Sequence, residues 1–299
     1  MDRKRQVSVI RHPTPYGDLE AQRVQRFGDM EDLERYEATV EEREEYEPLI
    51  RLDMAVFAGV DYHQILHRAE AEADIVIWDG GNNDLPFIKS DTHIVLVDPH
   101  YPGDETTYHP GQANLRMAEL VIINRVDSAS AEHMAQVQAR VSMVIRENVP
   151  VLLADSIVSV GEPELIKGQR VLVVGDGPTL THGGMAYGAG TIAARDLEAA
   201  EIVFCRQFAV GSIKAAYEQY PQMENEVPAL GYNPGQLADL EATLNAADAD
   251  LVLDATPVNL SQLITVNKPM IAAEYEMREW GGELNDILAD FDYQRITGG

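Results

Sequence analysis

Short apolar runs alternate with longer amphipathic stretches along most of the 299 residues. The short runs are rich in β-branched residues and contain almost no polar positions, as is typical of parallel strands that are covered on both faces. The longer stretches repeat apolar residues at helical spacing. This alternation predicts an α/β fold with a doubly wound, mostly parallel sheet. The predicted strands are 7–10, 75–78, 93–97, 120–123, 149–153, 171–174, 202–204, 251–253 and 270–273, and the predicted helices are 62–73, 131–147, 191–199, 211–220, 234–246 and 284–291.

A break in this pattern at residues 161–168 predicts a domain boundary. Proline, glycine and charged residues interrupt the alternation there, and a new strand begins at Arg170. Clusters of this composition mark connections between elements. We therefore expect one α/β domain over residues 1–165 and a second, Rossmann-like α/β domain over residues 166–299.

The chain is strongly acidic, with 50 Asp and Glu against 23 Lys and Arg and a net charge of −27. This charge is explained either by a solvated acidic surface, as in a salt-adapted organism, or by a cationic partner. Either way it repels phosphates, which argues against a nucleic-acid-binding protein. The densest acidic run, residues 31–47, is interpreted as a solvated helix face with pairs such as Glu31 and Arg35, or as an acidic recognition helix.

The apolar runs and the single cysteine predict a cytoplasmic protein. No apolar run approaches the roughly 20 residues that span a bilayer, so we expect no membrane partner. The apolar residues that follow the basic amino terminus are too few for a signal peptide. Cys205 has no partner for an internal disulfide, which fits a reducing compartment.

Ligand sites of doubly wound folds gather at the carboxyl ends of the strands, and an acid stands at one of these ends. Asp79 follows the apolar run 75–78 and is followed by Gly80 and Gly81, which has the form of a Walker B element. A carboxylate there can hold Mg²⁺, and the glycines let the backbone approach a terminal phosphate. An ordinary turn would explain the same residues.

A second strand end carries Asn124-Arg125-Val126-Asp127, which resembles the Asn-Lys-x-Asp element of GTPase-like folds. In that element the Asn shapes the base pocket and the Asp binds the base edge, so Asn124 and Asp127 are candidate nucleotide-binding residues for ATP or GTP. Arg125 keeps the charge of the lysine but changes its shape. The residues 154–156 after the next strand form either a second base-contacting loop or a plain turn.

Two further strand ends carry groups suited to anions. Arg11 and His12 follow the first strand, where they bind phosphate or belong to a rigid connector. The glycine-rich segment 175–190 precedes a helix and predicts an anion cradle, unless its glycines only permit tight packing. Its candidate phosphate-binding residues are Gly177, Thr179, Thr181, His182, Gly183 and Gly184.

Together these segments resemble the cyclic 2,3-diphosphoglycerate synthetase family. The matching segments are 11–13 with 16–19, 41–48, 58–62, 78–84, 114–118, 176–185 and 187–190. The chain departs from the family where Tyr101 and Asp104 replace an arginine and a histidine. The resemblance covers the later part of the family pattern and implies a preceding Rossmann-like domain, a strand, a P-loop and its helix. No Gly-x-x-x-x-Gly-Lys-Ser/Thr sequence occurs in this chain.

The resemblance implies a Mg²⁺- and ATP-dependent ligase that closes a phosphoanhydride within 2,3-diphosphoglycerate, acting as a truncated or split form. It assigns Asp79 to Mg²⁺ and catalysis, Arg11 and His12 to phosphates, and Asn124 and Asp127 to the base. Residues 1–165 are then a P-loop NTPase-like domain without a Walker A loop. A non-catalytic GTPase-like module that binds a nucleotide or a phosphorylated metabolite is the alternative. We also expect self-association or a P-loop-bearing partner at the strand edges left unpaired.

Overall fold

The computed structural model describes residues 5–12, 18–81, 84–181 and 186–297. The chain divides into two compact units, Met1–Ser156 with Met277–Gly299, and Ile157–Glu276. The chain passes from the first unit to the second after Ser156, and the domain boundary at residue 165 stays a prediction. The carboxyl-terminal segment belongs to the first unit, which the sequence pattern does not indicate.

The first unit begins with a four-stranded sheet in the order β2–β3–β1–β4. β1 lies between β3 and β4 and is parallel to both, whereas β2 is antiparallel to β3. Its core is apolar on both faces, with Phe27 and Tyr46 on one side and Ile10 and Ile65 on the other. The elements are β1 (Val7–Arg11), β2 (Gln25–Phe27), α1 (Met30–Arg35), α2 (Val40–Arg51), β3 (Ala55–Ala58), α3 (Tyr62–Glu72) and β4 (Ile75–Trp78).

Helix α2 shows why the acidic run forms a helix and which face it buries. Thr39 caps it, since its hydroxyl accepts the Glu42 N–H while the Glu42 carboxylate accepts the Thr39 N–H. Tyr46 is fully buried against the sheet. The predicted pair of Glu31 and Arg35 is not formed, because Arg35 pairs with Asp32 instead.

The same unit contains a second set of parallel strands in the order β5–β6–β7. Leu120 and Val121 are fully buried, as the apolar run predicts for a strand with two neighbours. β7 continues through residues 154–156, so the turn predicted there is wrong. The elements are β5 (Ile94–Val97), α4 (Asp104–Thr107), α5 (Gly111–Met117), β6 (Leu120–Ile123), α6 (Ala131–Val144) and β7 (Val151–Val160).

β4 and β5 each have a neighbouring strand on one side only, within the part of the chain that the structure describes. Their apolar side chains are correspondingly open to solvent: Ile77 is 42% exposed and Leu96 is 61% exposed. The expectation of full burial therefore fails for these two strands, because it requires both faces of the sheet to be covered around them.

The second unit has parallel strands in the order β10–β8–β11–β12, and β9 pairs with the start of β8. Val171 and Leu253 lie in its fully buried core. The elements are β8 (Arg170–Asp176), α7 (Gly177–Leu180), α8 (Ala189–Asp196), β9 (Glu201–Ile202), α9 (Gly211–Gln219), β10 (Val227–Ala229), α10 (Pro234–Ala246), β11 (Leu251–Ala255) and β12 (Met270–Glu279).

The last helix, α11 (Leu284–Thr297), returns to the first unit, where Leu284 and Ile287 pack on β6 and β7. The predicted mostly parallel α/β architecture is thus confirmed in each unit. None of the helices described is both long enough and apolar enough to cross a membrane.

Candidate functional site

Arg11 ends β1 and lies between two carboxylates at the carboxyl end of the first sheet. Its Nη2 is 2.5 Å and its Nε 3.1 Å from Glu45 Oε2, and its Nη1 contacts Asp79 Oδ2. The register of β1 and β4 sets Ile10 opposite Trp78, so the next residues of both strands are neighbours. Burial alone would lower the pKa of Arg11, but the hydrogen bonds and charges of Glu45 and Asp79 outweigh it and raise that pKa.

His12 continues this rim between a tyrosine and a third carboxylate. Its Nδ1 is 2.6 Å from Tyr62 Oη, and its Nε2 is 2.7 Å from Asp84 Oδ2, an ion-pair distance without hydrogen-bond alignment. The ring stands edge-on to Tyr62, Trp78 and Phe87. Burial, with a contribution from the Asp84 charge, raises the pKa of Tyr62. The aromatic cluster therefore fixes the imidazole in a defined orientation.

The glycines that follow Asp79 are engaged within their own turn. A Cβ at Gly80 would lie 2.6 Å from Trp78 Nε1, so a side chain there would collide with the indole. The Gly81 N–H donates to Asp84 Oδ2 at 3.2 Å. This backbone group is thus satisfied by the protein itself.

Carboxylates outnumber cations at this rim. Glu45, Asp79 and Asp84 face Arg11 and His12, and Arg11 is already held on two sides. Carboxylates in this arrangement match the forked N–H groups of a guanidinium. The rim therefore suits a cationic group better than a highly anionic one.

The sequence reasoning missed two of these carboxylates. Glu45 belongs to the run interpreted as a solvated helix face, and Asp84 lies in a matched segment without an assigned role. Only the buried Tyr46 beside Glu45 could have indicated that this part of the helix faces the sheet.

A second cluster joins the carboxyl ends of β5 and β6 to the middle of β7. Arg125, in a left-handed backbone conformation, donates from Nη1 to Asp98 Oδ2 at 2.8 Å. Asp127 Oδ1 accepts the N–H of Ser156 at 3.0 Å, which ties the end of β6 to β7. The Oδ1 of Asn124 is buried and has no hydrogen-bond partner among the described residues. A buried acceptor without a partner is costly, and a ligand donor is one way to satisfy it.

The structure brings Arg11, His12 and Asp79 together in one cluster, and Asn124 and Asp127 in another. No hydrogen bond or ion pair joins the two clusters within the described ranges. β4 and β5 are not paired with each other, so no continuous row of paired strands links the two clusters among the described residues.

Gly175 and Gly188, near the two ends of the glycine-rich segment, lie against a buried carboxyl group of the same unit. Glu226 is 1% exposed, and its Oε2 accepts the Gly188 N–H at 2.7 Å and the Thr191 hydroxyl at 2.8 Å. It thereby caps the start of α8, where an anion was predicted. A Cβ at Gly175 would lie 2.0 Å from Glu226 Oε1. Glycine at that position therefore makes room for the buried carboxyl group of Glu226.

The other candidates of this segment are partly outside the described residues. Gly177 is buried, and the Thr181 hydroxyl donates to Gly177 O at 2.8 Å, so it is used within α7. Their part in binding phosphate stays a prediction. Outside the described part lie the side chain of Thr179 and all of His182, Gly183 and Gly184.

We expect Glu226→Gln to flatten the pH dependence of stability. Burial raises the pKa of Glu226, against the opposing hydrogen bonds from Gly188 and Thr191. The folded protein therefore holds this proton more tightly, and stability falls as the pH rises above 4.5, the ordinary glutamate value. An amide oxygen can accept the same bonds without the charge, so the variant should melt a few degrees higher at pH 8 than the parent protein.

Urea unfolding at pH 5 and pH 8 tests this expectation, with Glu218→Gln as the control on the exposed face of α9. The control should keep the pH slope of the parent protein. A Glu226→Gln variant with that same slope, or with lower stability at pH 8, would contradict the role given to burial.

Comparison with known proteins gives one curated relative. No protein-family model matches the chain. The chain is 52% identical over 286 residues to a protein of Thermococcus kodakarensis named Arginine synthetase ArcE. The match covers 95% of this chain and 64% of that protein, so the chain spans less than two thirds of the relative's length.

A solved structure with a similar fold is LpxK from Aquifex aeolicus, crystallised in complex with ATP. The TM-score is 0.53 at 11% sequence identity, over 97% of this chain and 79% of that one. Such a likeness concerns the fold alone, and it confirms the predicted P-loop NTPase-like fold. Neither protein is named as a cyclic 2,3-diphosphoglycerate synthetase, so that resemblance stays a hypothesis.

Proposed function

We propose that this chain works in an ATP-dependent synthetase reaction whose product is arginine. The observation that carries the proposal is the guanidinium of Arg11 held between Glu45 and Asp79, because such a carboxylate rim can also hold the guanidino group of a bound arginine. Asp84 adds a third negative charge beside them. The 52% identity to a protein named Arginine synthetase ArcE supports the same reaction class.

ATP is the proposed co-substrate, with GTP as the other nucleotide that the base motif allows. The P-loop NTPase-like fold supports a nucleotide. We assign the base to Asn124 and Asp127, and the unsatisfied buried oxygen of Asn124 supports this assignment. Gly80 and Gly81 are assigned to the neighbourhood of the terminal phosphate.

We propose that Mg²⁺ binds together with the nucleotide. The described residues hold no group of three or more His, Cys, Asp or Glu suited to a metal ion. Mg²⁺ commonly takes only one or two carboxylates from the protein and the rest of its ligands from phosphate and water. Asp79 and Asp84 on one turn fit that donor set, and the ion would neutralise phosphate charge there.

Formation of cyclic 2,3-diphosphoglycerate is the second candidate, and the matched segments 78–84 and 176–185 favour it. Its substrate carries several negative charges, which need cations to hold them. In this chain Arg125 is held by Asp98, and Tyr101 and Asp104 stand where the family has cations. The balance of charge therefore favours arginine over the diphosphoglycerate.

We further propose that the open edges of β4 and β5 are covered by a P-loop-bearing strand of a partner, or else by a second copy of this chain. The exposed Ile77 and Leu96 support this, because unpaired apolar strand edges are templates for strand addition. The chain alone should bind Mg-ATP more weakly than about 1 mM, roughly −4 kcal/mol, since Arg11 and Arg125 are both engaged by carboxylates.

The reverse reaction tests the proposed function without knowledge of the substrates that precede arginine. The chain is assayed alone, and co-expressed with the part of the Thermococcus protein that lies outside the matched region. Arginine, Mg²⁺ and either ADP with phosphate or AMP with pyrophosphate are supplied, and ATP is measured by luciferase. We expect ATP from the co-expressed form, together with a complex of the two chains by light scattering.

A parallel assay supplies ATP and 2,3-diphosphoglycerate and follows the phosphorus resonances of the products. Turnover of 2,3-diphosphoglycerate, without ATP formation from arginine, would favour the second candidate, formation of cyclic 2,3-diphosphoglycerate. ATP binding without turnover in either assay would indicate the non-catalytic binding module instead.

A further inference from the structure

A concave surface of the first unit lies at the amino ends of β5 and β6, away from the strand ends that carry Asn124 and Asp98. Its volume is about 500 Å³, within the range of roughly 300–1,000 Å³ that small-molecule sites occupy. It combines cations with exposed apolar side chains. The residues that matter for its chemistry are Phe87, Lys89, His93, Arg116, Glu119 and Arg146.

The cations of this pocket are unusual in so acidic a chain. Most arginines in the described ranges pair with a carboxylate, as Arg11 and Arg125 do. Lys89 and Arg116 are exposed and make no hydrogen bond or ion pair with any described residue. Among the described residues Arg146 donates only to the carbonyls of Met117 and Ala118, at 3.2 and 3.0 Å, which fixes its guanidinium at the pocket wall.

Glu119 is the one carboxylate among the described residues that line the pocket, and one of its oxygens already accepts a hydrogen bond. Its Oε2 accepts the His93 N–H at 3.0 Å. Burial lowers the pKa of His93, with the Glu119 charge opposing that shift. Three cations against one carboxylate leave the pocket positively charged on a protein whose net charge is −27.

The apolar part of the lining is also open. Phe87 is 66% exposed and Met117 is 42% exposed. An aromatic ring and a thioether offer a planar or aliphatic group a surface beside the cations. Arginine forks match phosphate oxygens, whereas an isolated surface lysine acts as a point charge.

We propose that this pocket binds a small phosphorylated molecule, with its phosphate on Lys89, Arg116 and Arg146 and its planar part against Phe87 and Met117. At physiological ionic strength charges are screened beyond about 8 Å, so the local cations act on the ligand more strongly than the distant acidic surface does. The pocket shares Phe87 with the aromatic cluster around His12, but its cations are distinct from the residues assigned to arginine and to the nucleotide, so the inference stands whether or not the proposed function is correct.

Calorimetry with inorganic pyrophosphate and with AMP tests the site on the full chain at 0.15 M salt. The test variant is Lys89→Ala with Arg116→Ala. The control is Arg68→Ala with Lys214→Ala, which removes the same two charges from exposed positions that also lack described partners. All four side chains are exposed, so unchanged melting temperatures are expected.

We expect both probes to bind the parent protein and the control alike, and the test variant to bind at least about tenfold more weakly. Met117→Ala should weaken the binding of AMP but not the binding of pyrophosphate, since only AMP has a planar group. Equal weakening in the test and control variants would show a general charge effect and overturn the proposal. So would the absence of binding of both probes to the parent protein.

Discussion

Asp79→Asn is expected to lower the rate of the ATP-dependent reaction by about 10²–10³-fold. Asp79 holds one side of the Arg11 guanidinium and is the proposed carboxylate for Mg²⁺. The amide keeps the shape of the side chain but removes the charge that both roles require. Rates are measured on the chain co-expressed with the unmatched part of the Thermococcus protein, in the direction that forms ATP.

The same variant should be almost as stable as the parent protein. Arg11 keeps its contacts with Glu45, and the Asp79 side chain is 45% exposed, so loss of the pair should cost less than about 1 kcal/mol. Asp196→Asn is the matched control, because this exposed carboxylate on α8 has no described contact. An Asp79→Asn enzyme with full activity would remove Asp79 from the mechanism, whereas loss of both activity and stability would make its role structural.

The elements that could be predicted are those whose own residues determine them. Ile75–Trp78 and Leu120–Ile123 are continuous apolar runs, and their bounds match the predicted strands. Pro234–Ala246 also matches its prediction, because Asn233 caps it and proline stands at its first position. Strong local signals of this kind do not depend on the rest of the fold.

The missed strands are short and depend on their neighbours. Gln25–Phe27 has two polar residues of three and pairs with Ala55–Ala58, which is itself four residues long. Hydrogen bonding to an existing sheet, rather than a pattern of their own, makes them strands. Such pairing cannot be predicted from a three-residue window.

For the candidate sites too, features set by neighbouring residues could be predicted, whereas contacts between residues far apart in the sequence could not. That polar groups follow β1, β4 and β6 was predictable, because each follows a clear apolar run. The contact of Arg11 with Glu45 joins residues 34 positions apart, and the burial of Glu226 beneath Gly175 and Gly188 follows from tertiary packing alone. The charge balance at the rim, which favours arginine as ligand, depends on these distant contacts.

Gly177→Ala is expected to destabilise the second unit by about 3 kcal/mol, the upper part of the usual range for overpacking. A Cβ at this position would lie 2.1 Å from the carbonyl oxygen of Ala229 and 2.8 Å from its carbonyl carbon. These atoms belong to the backbone of β10, which is paired with β8. The clash can be relieved only by separating the strand from α7, because no side chain can turn away.

Gly161→Ala provides the control, since nothing lies within 4 Å of a Cβ there. This substitution should leave stability unchanged or raise it by about 0.4–1 kcal/mol through the unfolded chain. For the Gly177→Ala variant, thermal unfolding should show a fall in Tm of roughly 6–12 °C. A Gly177→Ala variant that melts at the temperature of the parent protein but loses a phosphate-dependent activity would contradict the packing role of this glycine. Gly177 would then serve a ligand rather than the packing of α7 on β10, which would support the anion cradle predicted from the glycine-rich segment.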